Sequence, residues 1–284
     1  MKEKPQNKVY GVDHSPWVQA VLIGLHLRGV DYDLTPLPSL SSLSKTGIRM
    51  PAMQVAGEWQ TESAALLETM AFDCASTEDR AMIAATWQGV MHRSDNAYEF
   101  FRRFAAIPMR GDSLVLRSIR QLLRPLVSLF FFTLIRGATW RLKPRDPKKF
   151  ANQFKPVNER LKDQPFLAGS EPGILDFQQF GIVQCHCSIV HPPLLRAMTD
   201  DPELAAFRAW VLRMQELLQG YEHLYSPAFF GTPERIAKRA SPAQQALFWL
   251  GLALYLSVLP VTAALLGWLM VKSIKIQRAE IKNS

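Results

Sequence analysis

Residues 246–271 read ALFWLGLALYLSVLPVTAALLGWLMV, a run without a single charged side chain. Few cores bury a helix of that length on every side, so an uncharged apolar run of roughly 18 residues or more is a transmembrane helix candidate. As one helix the run measures about 39 Å, against a hydrocarbon core of roughly 30 Å. Tilt, or a kink at Pro260, takes up the excess. Trp249 and Trp268 fall near the two ends, where amphipathic rings favour the membrane interface. The chain is therefore expected to act beside a bilayer, held by one C-terminal transmembrane helix, 246–271, with a basic tail at 272–284.

The formal net charge is +8, and its distribution matters more than its size. Residues 110–149 contain ten bases (Arg110, Arg117, Arg120, Arg124, Arg136, Arg141, Lys143, Arg145, Lys148, Lys149) and two acids, Asp112 and Asp146, an excess that equals the whole imbalance. Inside this segment lies LVSLFFFTLI, Leu126 to Ile135, greasy but too short to cross a bilayer. Bases flanking apolar residues fit a segment lying on an anionic membrane face, so residues 124–141 are a second candidate lipid contact. Nucleic acid is disfavoured as a partner, because the aromatics form one block rather than spaced stacking platforms.

Three cysteines, Cys74, Cys185 and Cys187, make no disulfide framework and suit a reducing compartment. The start, MKEKPQNKVYG, lacks the apolar core of a signal peptide. The soluble part is thus expected on the cytoplasmic side of a single-pass anchor, with a bacterial inner membrane as the expected site. Bases on both flanks of the span leave its orientation open.

KVYGV, from Lys8, reads as a short strand, and Ser15-Pro16 as a helix cap with proline at the first helical position. Val18, Val21, Leu22 and Leu25 follow helical spacing, Gly29 stops the helix, and DYDL reads as a second strand. Strand, helix and strand in so few residues make a βαβ unit. AMQVAGEWQT then predicts a hairpin turning at Ala56-Gly57, and SAALLETMAF a helix. Beyond it, helical periods predict helices over 78–106, 147–163, 174–190 and 202–220, with no convincing strand. The divisions are an α/β domain at 7–76, an all-α domain at 77–226 with an insertion at about 107–146, and a linker at 227–245 before the span.

Four local motifs in this order resemble the cytosolic glutathione transferase superfamily: SPWVQAV after the first strand, RMPAM, TESAALL, and PFLAGSEPGILDFQQFG. The resemblance covers about three quarters of the chain. It implies a thioredoxin-like N-terminal domain, an all-α C-terminal domain, glutathione as co-substrate without a metal, and a homodimer. It also implies a cis peptide before Pro51, with the Met50 main chain binding the cysteinyl part of glutathione, and Glu62 with Ser63 holding its γ-glutamyl end. Arg49 is a candidate for the glycyl carboxylate. Trp17, Trp87, His92 and Arg103 are candidate lining residues for an electrophile pocket. The physics of the first helix agrees: free N–H groups and the helix dipole favour a thiolate at its N-terminus, and the Ser15 hydroxyl is placed to donate to that sulfur. Where the family carries Ser or Thr at a helix cap, this chain has Gly173, and Asp176 three residues later can still bond back to the backbone. The insertion and the span are departures from a soluble transferase. In architecture they are similar to tail-anchored relatives such as the ganglioside-induced differentiation-associated proteins.

Cys185-His186-Cys187 with His191 carries no metal spacing, since i and i+2 on a helix point apart. The expected function is a membrane-tethered, glutathione transferase-like enzyme acting on an apolar electrophile. A non-catalytic adaptor of the same fold, binding lipid or a membrane protein, is the alternative.

Overall fold

The computed structural model describes residues 7–109, 113–142, 150–231 and 239–283, with the side chains of 93–94, 142 and 277–283 left aside. The expected helix start at 147–149, the linker stretch 232–238 and the bases Arg110, Lys143, Arg145, Lys148 and Lys149 lie outside the described residues. Strand β1, Asn7–Tyr10, leads through a turn into helix α1, Pro16–Leu27, and β2, Tyr32–Thr35, returns parallel to β1 with Asn7 opposite Tyr32 and Tyr10 opposite Thr35. This is the anticipated βαβ unit. Helix α2, Leu40–Thr46, is capped by Ser39, whose hydroxyl accepts from the Ser42 N–H. Strand β3, Ala52–Val55, runs antiparallel to β1, and β4, Glu58–Thr61, antiparallel to β3. Ala56 and Gly57 both take positive φ, 49° and 89°, as a two-residue hairpin turn requires. The order is β2-β1-β3-β4, and α3, Ser63–Glu68, follows. The Met50-Pro51 bond is cis. Strand order and helix positions are those of a thioredoxin-like domain.

The helical domain opens with α4, Thr77–Ala85, a 3-10 stretch Gln88–Asp95, and α5, Ala97–Ala106. One helix over 78–106 is thus corrected to three pieces. The Asn96 side chain accepts from the Glu99 N–H at 3.0 Å and starts α5 afresh, the alternative that Asn offers a backbone. After a 3-10 turn at Phe150–Phe154 come α7, Lys155–Asp163, α8, Ile174–Ser188, and α9, Pro192–Asp200. Helix α9 was not foreseen, although Pro192 at its first turn is a start signal. The expected helix at 202–220 is α10, Ala205–Leu217, introduced by a 3-10 turn over Pro202–Leu204 that Asp201 caps. At the head of α8, Asp176 accepts from the N–H groups of Leu167, Ala168 and Gly173 and from Trp210 Nε1, all within 3.1 Å. The acidic residue therefore ties three chain segments together where the family's hydroxyl cap is missing.

Helix α1 is buried from Pro16 to Leu25, except for Trp17, because α8 packs along it and joins the core that holds Val9 and Met53. Gly181 permits this approach: a Cβ there would strike the carbonyl of Pro16.

The inserted segment is the main departure from expectation. Leu126–Ile135 is not a short surface block but the middle of α6, Leu114–Leu142, a single helix of 29 residues. Leu114–Arg141 is long and apolar enough to cross a membrane. Pro125 is accommodated inside it. Arg124 is not a solvated base: it is 5 % exposed, and its Nη1 donates to the Ile107 carbonyl at 2.6 Å. The C-terminal run is also not one helix. It forms α11, Pro242–Ser257, and α12, Leu259–Asn283, broken at Val258. Pro260 cannot donate to the preceding turn, so the helix restarts with proline in its first turn. The Val258 carbonyl accepts from the N–H groups of Val261 and Thr262, and Thr262 Oγ1 donates to Tyr255 O at 2.8 Å. Leu259–Ile276 is the second stretch long and apolar enough to span. Helix α11 lies along α6, and Phe248, Leu252 and Leu266 close a second core with Phe100, Phe101, Phe104 and Leu129. Helix α12 reaches back to the first domain, where Ser273 Oγ accepts from the Ile48 N–H at 3.1 Å.

Candidate functional site

Ser15 stands at the N-cap of α1 in extended conformation, 7 % exposed, and its side chain makes no capping bond. The loop before it is held from outside the first domain. The Asp13 carboxylate accepts from Tyr225 Oη at 2.9 Å and lies 3.1 Å from His223 Nδ1. Gln19, fully buried on α1, donates to the carbonyls of Asp13 and His223 and accepts from Tyr221 Oη at 2.7 Å. Burial raises the Asp13 carboxyl pKa. Hydrogen bonds from His14 and His223, and their charges, more than reverse this and hold it well below the usual carboxylate range. The turn carrying Ser15 is thereby clamped to the segment after α10.

Ser15 opens onto a cavity of about 490 Å³ between the two domains, within the usual range for a small-molecule site. His14, Pro16, Trp17 and Met50 border it from the first domain. Trp87, Phe100, Phe104, Cys185 and Ile189 border it from the second, and Phe131, Leu134, Ile135 and Ala138 from α6. His14 meets the Phe104 ring edge-on at 4.5 Å, and Trp17 meets Trp87 at 5.9 Å. The lining is predominantly apolar, with a hydroxyl and a helix N-terminus at one wall. Such a chamber can desolvate an apolar molecule beside a site that favours negative charge.

The expected residues divide accordingly. Ser15, Met50, Trp17 and Trp87 share this cavity. His92 and Arg103 do not line it: His92 stacks on His191 at 5.7 Å, and Arg103 Nε lies 3.7 Å from Glu99. His92 stands in the 3-10 stretch and Arg103 on α5. Arg49 is half-buried, and its Nε donates to Thr46 O at 3.3 Å. Glu62 is exposed at the head of α3 with φ 72°, an uncommon conformation for a residue with a Cβ, of the kind held at functional sites. Ser63 is buried, and its Oγ accepts from Gln178 Nε2 at 3.2 Å. Pro51 is buried behind Met50. The wall supplied by α6, and Cys185, escaped the sequence reading. The i, i+3, i+4, i+7 recurrence of Phe131, Leu134, Ile135 and Ala138 was the available signal.

A larger groove, about 690 Å³, lies at the far end of α1 among Arg28, Asp73, Asp79, Arg160 and Glu171 and contains none of these residues. Among the described residues no group of three or more His, Cys, Asp or Glu is arranged to hold a metal ion. Cys185 borders the cavity while Cys187 sits in the main core.

No family model matches the chain, and no curated protein matches it. Solved structures do. A glutathione S-transferase isozyme of Drosophila melanogaster is 17% identical, with 83% of this chain and 99% of that one covered and a TM-score of 0.45. A rice glutathione transferase in complex with glutathione is 15% identical over 83% and 96%, at a TM-score of 0.45. A theta-class glutathione S-transferase from Xanthomonas axonopodis with glutathione bound is 14% identical over 81% and 99%, at 0.41. Likeness at this level carries no functional weight.

Proposed function

We propose that this chain is a membrane-tethered, glutathione transferase-like enzyme. Glutathione lies against the first domain, with its cysteinyl main chain on Met50 and its γ-glutamyl end toward Glu62 and Ser63. Ser15 donates its hydroxyl to the thiolate, and an apolar electrophile occupies the cavity between the domains. The observation that carries this reading is a serine hydroxyl with no capping bond, at a helix N-terminus, on the wall of an apolar cavity built from both domains. A thiolate there gains from the hydroxyl, the helix dipole and the exclusion of water, and the thiolate is the nucleophilic form. Tethering is part of the same proposal: α6 and α12 each contain a stretch of spanning length, and many side chains of α6, α11 and α12 are apolar and exposed. The soluble domains lie on the cytoplasmic side, with a bacterial inner membrane as the setting.

The test is calorimetric titration of the detergent-solubilised chain with glutathione, followed by turnover with a generic aromatic electrophile. Saturable binding and turnover, with turnover cut in Ser15→Ala and binding retained, supports the enzyme. Neither binding nor turnover rejects it in favour of an adaptor.

A further inference from the structure

Resting on the thiol chemistry proposed above, the geometry points to a chain-bearing electrophile, dissolved in the bilayer and admitted along α6, as the second substrate. Helix α6 is both a wall of the cavity and an apolar outer surface. Phe131, Leu134, Ile135 and Ala138 form one stripe of the helix and line the cavity. Thr139 Oγ1 donates to the Met91 carbonyl at 3.1 Å, fixing that wall to the 3-10 stretch of the helical domain. Leu134 lines the cavity and is 39% exposed, and Ala84 and Gln88 across from it are exposed as well, so the cavity's open rim includes this helix.

What surrounds that mouth fits a lipid surface rather than water. Trp140 is 80% exposed, and an indole is favoured at the membrane interface. Arg136 and Arg141 are exposed on the same end of the helix and complement anionic headgroups. The helix has a stretch of spanning length, and Thr133, Leu134, Arg136, Gly137 and Trp140 on it are exposed. A water-soluble electrophile would use none of these features. A molecule with an alkyl chain lies with its tail against α6 and its reactive head toward Ser15, and each buried methylene adds to its affinity.

For an unsaturated aldehyde the step balances without leaving group, oxidant or reductant. The glutathione sulfur forms a bond to the β-carbon as the carbon–carbon π-bond breaks, charge passes to the carbonyl oxygen, and a proton from water reaches the α-carbon. The thiol proton leaves to solvent beforehand.

The experiment uses the full chain in vesicles of phosphatidylethanolamine and phosphatidylglycerol, with glutathione outside and either a butenal or a hexadecenal added. The expected result is a kcat/KM for hexadecenal at least about tenfold above that for butenal. Ala138→Phe, which fills the α6 wall, is expected to lower the hexadecenal value by about tenfold and the butenal value by less than about twofold. Leu134→Gln, at the 39% exposed rim, should reproduce the selective loss, with thermal melts on the same preparation checking that the fold is kept. Equal values for the two aldehydes, or equal losses in both variants with glutathione affinity unchanged, overturn lateral supply and leave the thiol chemistry standing. Absence of glutathione binding together with absence of turnover overturns the underlying reading and this inference with it.

Discussion

The Ser15 hydroxyl makes no bond to its own helix, so its removal separates chemistry from folding. Ser15→Ala is expected to shift unfolding free energy by no more than about 1 kcal/mol, since the buried hydroxyl makes no capping bond. Loss of a hydrogen bond to a charged sulfur costs about 1.5–3 kcal/mol, which is about tenfold to a hundredfold in turnover. Thermal melts and initial rates on the same preparation check both. Asp13 is the opposite case, a residue whose charge holds the loop. Its carboxyl is depressed in the folded chain by His14 and His223 despite burial. The folded state therefore binds fewer protons there than the unfolded state. The stabilisation is complete above the ordinary aspartate pKa of about 3.9 and disappears as pH falls through the lower folded value. Asp13→Asn should melt lower at neutral pH, by about 1–3 kcal/mol for a broken charged hydrogen-bond set. It should also lose part of the wild type's decline below about pH 4. Identical acid limbs in melts from pH 3 to 7 would discard the clamp. The places of Ser15 at the head of α1 and of Met50 before a cis bond were readable from local motifs, because a helix start and an X-Pro step are written in adjacent residues. The Asp13 clamp was not: its partners stand more than 200 positions away.

Among the elements, α11 on α6 shows most plainly what hydropathy leaves out. Hydropathy sees a run to be covered by lipid, but Gly251 presses its backbone against the Leu122 carbonyl and Pro125, and Phe248 is fully buried beside them. Gly251→Leu is expected to force the helices apart at a cost of about 1–3 kcal/mol or more, as overpacking does. Phe248→Ala should cost about 3–5 kcal/mol through the cavity it leaves. Denaturant unfolding in detergent measures both. If neither variant differs from wild type, the two helices do not pack in this register. The broken helix at 78–106 has the same lesson in reverse. Residues 92–96, HRSDN, carry no apolar side chain, and the Asn96 cap starts α5 afresh after the 3-10 stretch that holds His92.

For the molecule as a whole, the second core joins α11 and α12 to α5 and α6 of the helical domain. Were a terminal span the whole attachment, removing residues 241–284 would release the chain from membranes. In the fold it strips Phe248, Leu252 and Leu266 from Phe100, Phe101 and Phe104, and exposes the face of α6 that α11 covers. The truncated chain is expected to remain with membranes, or to need detergent, when vesicles are floated on a density gradient. A monodisperse, detergent-free product would show that α6 does not hold lipid. One terminal span and one surface insertion become, in three dimensions, a single apolar subassembly of α6, α11 and α12 set against the cavity side of the helical domain.

The sequence by itself determined the α/β unit, the hairpin, the helix start at Ser15-Pro16, the acidic tie at Asp176 and the uncharged apolar run at 246–271. Those features arise from residues close together in the chain, where turn chemistry, caps and periodicity act directly. Only the tertiary structure decided that the inserted block extends into a 29-residue helix, that Arg124 is buried, and that α6 walls the cavity beside Ser15. Each of those depends on which distant surfaces meet, and hydrophobic burial is non-directional: it states how much surface must be covered without stating by what.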